Sequence, residues 1–342
     1  MSKWYERSGE QADVVLSSRV RFARNIEGYP FEPRLTDDGA KEIIAKLSDV
    51  YTKDEGYERI DFQALSPTAV ERAAEDYTVS NDFAAKRSPH ALFANDADGV
   101  YVMACEEDHV RIQAIVPGLD LRGAYERAEK AEKLLDEGVE LSYSERLGYL
   151  THCPTNLGTA MRASVMMFLP ALTMNGRMRA ISNRLAQLGL TVRGADGEGS
   201  AADGALYQVS NQATLGLSED QILEKLGDVA AQLIENERAL RKKMSERDGE
   251  RIRDVSRRAL GTALYAERMD TEELTKLYAN IRLGVAMGCI TETDFATLDK
   301  LRIEAQRAAL TERFSLDPND SAERDRVRAK FVRETLSGKI GG

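Results

Sequence analysis

Arginine recurs where a side chain could reach a ligand. Arg19 and Arg21 lie in Ser17-Ser18-Arg19-Val20-Arg21, and Arg111 follows Glu106-Glu107-Asp108-His109. Arg162 precedes Ala163-Ser164-Val165-Met166, and Arg193 opens the loop Gly194-Ala195-Asp196-Gly197-Glu198. A strand puts Arg19 and Arg21 on one face, because they are two positions apart. A guanidinium is permanently charged and offers a planar fork of donors matched to phosphate oxygens. Several forks converging on one point suit a triphosphate, whose charge must be held and spread while a phosphoryl group moves. Taken singly, each arginine is better explained by solvation or a salt bridge. The sequence has no GxxxxGK[ST] and no glycine-rich kinase loop, so a nucleotide site would have to be built from these arginines.

Two acidic segments accompany them, Glu106-Glu107-Asp108 and the glycine-flanked Glu198. A carboxylate can accept two hydrogen bonds from a guanidinium. If the phosphate acceptor is itself an arginine, its guanidinium must be oriented and must lose a proton as the N–P bond forms. Two flanking carboxylates can do both, although an acidic turn read alone is a solvated turn. Cys153 stands beside Pro154 in a polar loop closed by Gly158. A lone cysteine is commonly a small buried hydrophobe, and the polar surroundings equally allow an exposed thiol. Cys105, Cys153 and Cys289 are far apart, which fits a reducing cytoplasm and no zinc cage.

The elements that must position these residues fall into two styles. Strands are expected at 13–21, 90–95, 99–106, 109–116, 162–169, 191–193 and 206–211. Helices are expected at 36–52, from Ser66-Pro67 to about Tyr77, at 120–137, and from 170 to 188. That pattern is α+β, a mostly antiparallel sheet with helices beside it. After Gly216 only helical periodicity remains, opened by the capping box Ser218-Glu219-Asp220-Gln221. Further helices fit 250–267, 271–287, 292–312 and 320–336, so an all-α region is expected to follow a boundary near 240. The chain of 342 residues is long enough for about two domains, and its net charge of −10 argues against nucleic-acid or anionic-membrane binding. No window of 18 uninterrupted apolar residues and no signal-peptide core is present, so neither a membrane span nor export is expected.

In order along the chain, SSRVRFARN (17–25), EEDHVRIQ (106–113), CPTNLGTAMRASV (153–165) and RGADGEGS (193–200) together resemble the ATP:guanido phosphotransferase family. The resemblance implies a phosphagen-kinase-like catalytic domain over 1–240, with ATP as phosphoryl donor and Mg²⁺ carried on the nucleotide rather than held by the protein. Carried over by motif position, Arg19, Arg21, Arg111, Arg162 and Arg193 are phosphate ligands. Ser17, Ser18, Val20, Ala163, Ser164, Val165 and Met166 line the nucleotide site. His109 and the loop Gly194-Ala195-Asp196-Gly197 support nucleotide binding. Glu107 and Glu198 are the acids that hold the guanidinium, and Cys153 is the thiol that tunes the site. Where relatives carry a histidine near the adenine, this chain has Tyr77, with His90 as the alternative.

The small-molecule kinases of the family have a helical domain before the SSRVR strand. Here the helical region follows it instead, as in the branch that phosphorylates arginine side chains of proteins. Arg324-Asp325-Arg326-Val327-Arg328-Ala329 reads RDxxRA, with Arg324 and Arg328 at i and i+4 of a helix that Asp320 can cap. By spacing alone this is a surface charge cluster. By resemblance Arg324, Asp325, Arg328 and Ala329 form an allosteric phosphoarginine pocket in a C-terminal domain, 241–342, that also dimerises. The resemblance further implies protein substrates with accessible arginines, a homodimer, a zinc-binding activator and a Clp-type unfoldase as partners. A small-molecule guanidino kinase and a phosphoarginine-binding adaptor are the alternative readings.

Overall fold

The computed structural model describes residues 3–53, 56–194 and 203–340. In chain order the first elements are β1 (Val15–Arg24), α1 (Asp37–Tyr51), β2 (Glu58–Asp61), α2 (Pro67–Glu75) and α3 (Asn81–Ala85). Next come β3 (Ala91–Asn95), β4 (Val100–Ala104), β5 (Val110–Pro117), α4 (Leu121–Gly138), β6 (Tyr143–Ser144), β7 (Gly148–Tyr149) and β8 (Met161–Phe168). The sheet region closes with α5 (Pro170–Met174), α6 (Met178–Gln187), β9 (Leu190–Gly194) and β10 (Leu206–Asn211). Helices follow: α7 (Glu219–Tyr265), α8 (Thr271–Ala286), α9 (Phe295–Glu304), α10 (Arg307–Phe314) and α11 (Ser321–Ile340).

Among the described residues eight strands form one sheet, ordered β2-β3-β4-β5-β1-β8-β10-β9, and every pairing is antiparallel. β1 lies inside the sheet between β5 and β8. Its pleat sends Ser18, Val20, Phe22 and Arg24 into a face that solvent does not reach. α4 covers that face, turning Leu121, Ala124, Ala128, Ala131 and Leu135 onto β1 and β5. Those residues recur at three- and four-residue spacing, and the alanines allow close approach of helix to sheet. α7 does the same for β8 and β10 with Leu226, Val229, Ala230 and Leu233. No helix among the described residues is long and apolar enough to cross a membrane.

The architecture is the expected α+β sheet region followed by helices, but three expected boundaries shift. The single helix expected over 170–188 is two, α5 and α6, because the chain turns at Asn175-Gly176 with Gly176 at φ +66°. Glycine has no Cβ to oppose that angle. The helix expected over 292–312 divides into α9 and α10 around Ala305 and Gln306. The helices expected on either side of residue 248 are instead joined as α7, where only Asp248 (φ −131°, ψ 23°) departs from helical angles. β2 and α3 are short elements that the periodicity did not reveal.

α7 is fastened to the sheet region by charge as well as by apolar contact. The Glu237 carboxylate is wholly buried and accepts the backbone N–H groups of Ala171 (2.9 Å) and Leu172 (3.0 Å), at the start of α5. Arg241, one turn along, donates to Glu237 at 2.7 Å and to the carbonyls of Phe168 (3.2 Å) and Asp13 (3.1 Å). A buried ion pair of this kind is costly to break from one side, because the remaining charge has no water to turn to. Glu237→Ala is therefore expected to lower unfolding stability by about 3–5 kcal/mol. Adding Arg241→Ala to it should cost much less than Arg241→Ala costs alone, read from urea unfolding of the double-mutant cycle.

Candidate functional site

Strand register decides which side chains share a face. Arg21 lies opposite Gln113 of β5 and Arg162 of β8, Arg19 opposite Ile115 and Ser164, and Ala23 opposite Arg111. The same face continues from Met166 to Gln208 of β10 and from Gln208 to Arg193 of β9. Arg19, Arg21, Arg111, Arg162, Arg193 and Glu107 consequently line one open cavity of about 340 Å³. Four different strands supply those five arginines.

Polar neighbours orient the guanidinium groups. Arg19 Nε donates to Ser164 Oγ at 3.4 Å, and Gln208 Nε2 donates to the same oxygen at 2.9 Å. Arg162 Nη2 donates to Ser210 Oγ at 3.0 Å. The cluster repels itself. Burial, followed by the charges of Arg162 and Arg111, pulls the Arg19 guanidinium down to about 10, with Tyr77 opposing. Burial, then Arg19, Arg111 and Arg162, holds Arg21 well below its ordinary value. Positive charge concentrated at this cost is relieved by an anion that spans several of the groups.

The acidic turn between β4 and β5 supplies the opposite charge. Cys105 takes the left-handed conformation (φ +61°), and its N–H bonds the His109 carbonyl at 2.7 Å to close the turn. Glu106 and Glu107 are adjacent but differ in environment. The Glu106 side chain is 3% exposed and accepts from Arg111, from Ser80 Oγ (2.7 Å) and from the Glu107 N–H (2.7 Å). Glu107 is 40% exposed on the cavity and is contacted by Arg111 Nη2 at 3.0 Å. Glu106 is thus a brace, and Glu107 is the carboxylate a second molecule can meet.

Asp108 and Asn25 lie within the sequence motifs without an assigned role, yet they fix this turn. Asp108 Oδ1 accepts from Asn25 Nδ2 and from the His152 N–H, each at 2.7 Å. That ties the Cys153 loop to the acidic turn. Cys153 itself is half-buried, with Sγ 3.0 Å from Thr155 Oγ1. Among the other missed residues, Gln208 and Gln113 lie on the arginine face, a position that only the register of neighbouring strands reveals.

Several expected contacts are corrected by the pleat. Ser18, Val20, Ala163 and Val165 alternate with the cavity-facing residues, so their side chains turn to the buried face under the helices. Ser18 Oγ bonds the Gly118 carbonyl at 2.9 Å. His109 is also not a cavity residue. It is fully buried, with Nδ1 accepting the Ile26 N–H (3.1 Å) and Nε2 donating to the Pro30 carbonyl (2.9 Å). Burial lowers its pKa, in keeping with a neutral ring that braces the turn. Ser17, Ser164 and Met166 do line a site, a narrow cavity of about 20 Å³ that shares Arg19 and Gln208 with the larger one. Tyr77 lines it too, whereas His90 is buried against Phe62 and Phe83 elsewhere. Gly194 ends β9 opposite Tyr207. Ala195, Asp196, Gly197 and Glu198 lie outside the described residues.

The C-terminal cluster differs from its expected form. Asp320 caps α11 through the Glu323 N–H at 2.8 Å, as its spacing implies. Arg328 is only 1% exposed, however, and Ala329 is fully buried. Arg328 spends its donors on the carbonyls of Ala305 (2.9 Å) and Met269 (2.8 Å) and on Asp325 (2.8 Å). Arg324 reaches the Pro318 carbonyl at 3.1 Å. The two arginines therefore do not form an open phosphate fork in this conformation, because helical spacing fixes their shared side but not whether that side meets solvent.

Residues 39–240 match the family described as ATP:guanido phosphotransferase, C-terminal catalytic domain, and residues 249–340 match the protein-arginine kinase McsB C-terminal domain. The protein-arginine kinase of Clostridium acetobutylicum is 37% identical over 340 residues, covering 98% of this chain and 100% of the relative. That of Caldanaerobacter subterraneus subsp. tengcongensis is 38% identical, covering 96% and 98%. Among solved structures, lombricine kinase aligns with a TM-score of 0.59 at 26% identity, over 67% of this chain and 68% of that one. The duplicated taurocyamine kinase of Schistosoma mansoni, with transition-state-analogue components bound, gives 0.58 at 25% identity, over 67% and 33%.

An arginine face under mutual repulsion has a direct signature. Inorganic tripolyphosphate should raise the thermal midpoint by roughly 3 °C or more at saturation, an effect that shrinks as salt is added. Arg21→Gln should raise the midpoint of the ligand-free protein and blunt the response to tripolyphosphate, both read by calorimetry.

Proposed function

The chain belongs to the ATP:guanido phosphotransferase family, and from that membership we propose that it is a protein-arginine kinase, moving the γ-phosphoryl group of ATP to arginine side chains of proteins. The observation that carries the reading is the single cavity lined by five arginines and Glu107. It is supported by the whole-length similarity to curated protein-arginine kinases.

In this mechanism Arg19, Arg21, Arg111, Arg162 and Arg193 hold the phosphates and spread the charge that shifts toward the leaving group. Glu107 accepts hydrogen bonds from the substrate guanidinium and aims one of its nitrogens at the γ-phosphorus. As the N–P bond forms, the bond from phosphorus to the β–γ bridging oxygen breaks. The electron pair leaves on ADP, and the nitrogen gives up its proton to the carboxylate. Glu198 is assigned as the second acid on the family pattern, and Cys153 as a thiol that tunes the guanidinium site. Mg²⁺ carried on the nucleotide would neutralise phosphate charge. Among the described residues no group of three or more His, Cys, Asp or Glu side chains could hold a metal ion.

The division proposed near residue 240 gives a catalytic domain and a helical domain. The helical domain is assigned homodimerisation and the phosphoarginine pocket of Arg324, Asp325, Arg328 and Ala329. Occupation of that pocket would require Arg328 to release Ala305 and Met269. A zinc-binding activator, a Clp-type unfoldase and a cytoplasmic setting complete the reading, in which the mark directs proteins to degradation.

Incubating the purified chain with Mg-ATP and a loosely folded, arginine-containing protein should yield acid-labile phosphate on that protein. Glu107→Gln should lower kcat by about 10²- to 10⁴-fold while ATP still binds. Turnover confined to free arginine, supplied in a parallel reaction, would overturn the protein-substrate reading. Label that survives Glu107→Gln would overturn the role of the acid.

A further inference from the structure

The narrow cavity beyond the arginine face draws one wall from a part of the chain far from the sheet in sequence. Trp4, Leu16, Ile115 and Met166 make it largely apolar, and Arg302 of α9 stands with Tyr77 at its side. Arg302 Nη2 donates to the Tyr77 hydroxyl at 2.7 Å, and its guanidinium carbon lies 5.6 Å from the ring centroid. Tyr77 is held firmly. Its backbone is left-handed (φ +60°), unusual for a bulky residue, and its carbonyl accepts from Gln113 Nε2 at 2.7 Å. Trp4 meets its ring edge-on at 6.2 Å.

α9 is held as firmly. Glu304 accepts from Tyr5 Oη and from Arg72 Nη2, each at 2.7 Å, and Lys300 pairs with Glu6 at 2.8 Å. The Glu75 carboxylate of α2 also caps α10 through the N–H groups of Ala308 (2.9 Å) and Ala309 (3.0 Å). Arg302 is therefore delivered to the cavity by packed structure.

We propose that Arg302 is a nucleotide-positioning residue, contributed by the helical region, that stacks on the purine base of ATP. The inference rests on the proposed use of ATP. An apolar slot that shares Arg19 and Gln208 with the arginine-lined cavity suits a flat base attached to a phosphate chain. A guanidinium lies readily on a π face, and more strongly where water is excluded. The space open now, about 20 Å³, holds about one water. A base enters only when Arg302 leaves the Tyr77 hydroxyl, and the released guanidinium then closes over it. ATP affinity thereby depends on where the C-terminal helices sit.

Trp4 is the only tryptophan in the sequence, so its emission reports on this cavity. The experiment titrates the full chain with Mg-ATP and, separately, with magnesium tripolyphosphate, by Trp4 fluorescence and calorimetry. ATP should change the emission, and tripolyphosphate should not. Arg302→Ala should weaken ATP binding about tenfold, raise KM for ATP with kcat held, and leave tripolyphosphate affinity within about twofold. Tyr77→Phe, which removes the hydroxyl that Arg302 meets, should bind ATP as well as or better than the parent. Should Arg302→Ala unfold, Arg302→Gln carries the same expectation for ATP against tripolyphosphate. ATP affinity that is unchanged or tighter in the Arg302 variants would overturn the proposal, as would equal losses for the two ligands. Tripolyphosphate binding without ATP binding in the parent would reject the base site alone. Binding of neither would remove the nucleotide reading with it.

Discussion

Like charges crowded on one face of a sheet are the constraint around which this molecule is arranged. Arg19 and Arg21 sit on a strand that is paired on both edges, so the sheet cannot splay to separate them. Their repulsion is accepted because the other face is clamped by α4 and α7, whose apolar contacts and buried Glu237–Arg241 pair lie away from the cavity. The face opposite the arginines is thus largely apolar and helix-covered, while the arginine face combines the charge with a second core around Phe62, Phe83, Leu92, Tyr101, Met103 and Ile115. Such a division lets a site be prepared for an anion before the anion arrives, which is the form of preorganisation that favours charge transfer over water.

The acidic turn shows how adjacent residues of one type acquire different tasks. Glu106 is enclosed by Ser80, Arg111 and a backbone N–H, while Glu107 keeps solvent on one side. Asn25 and Asp108 connect this turn to the end of β1 and to the loop of Cys153. The arginine-bearing strand, the carboxylate and the thiol loop are consequently parts of one hydrogen-bonded assembly. A shift in any of them is felt by the others.

Much of this was legible in the residues themselves. The arginines could be read because a strand sorts its side chains by parity, and the residue types that alternate with them are small or apolar. The same parity limits motif reading. A motif names a continuous stretch, but the pleat gives the site only every second member, so Ser18, Val20, Ala163 and Val165 belong to the core. His109 lies in the motif yet braces it from behind. For Arg324 and Arg328, spacing gives a common side of a helix but not which neighbours bury it. Arg302 was illegible for a different reason. Its relation to Tyr77 spans 225 positions, and no local pattern in an amphipathic helix marks one arginine among its solvated neighbours.

The short turn at Trp4–Glu6 is held against α9 by Tyr5–Glu304 and Lys300–Glu6. On a ribosome these partners are born nearly three hundred residues apart. The sheet can pair its strands as they emerge, but the seam beside the narrow cavity must wait for α9. A nascent chain therefore carries its arginine face before it has the wall that completes the adjoining cavity.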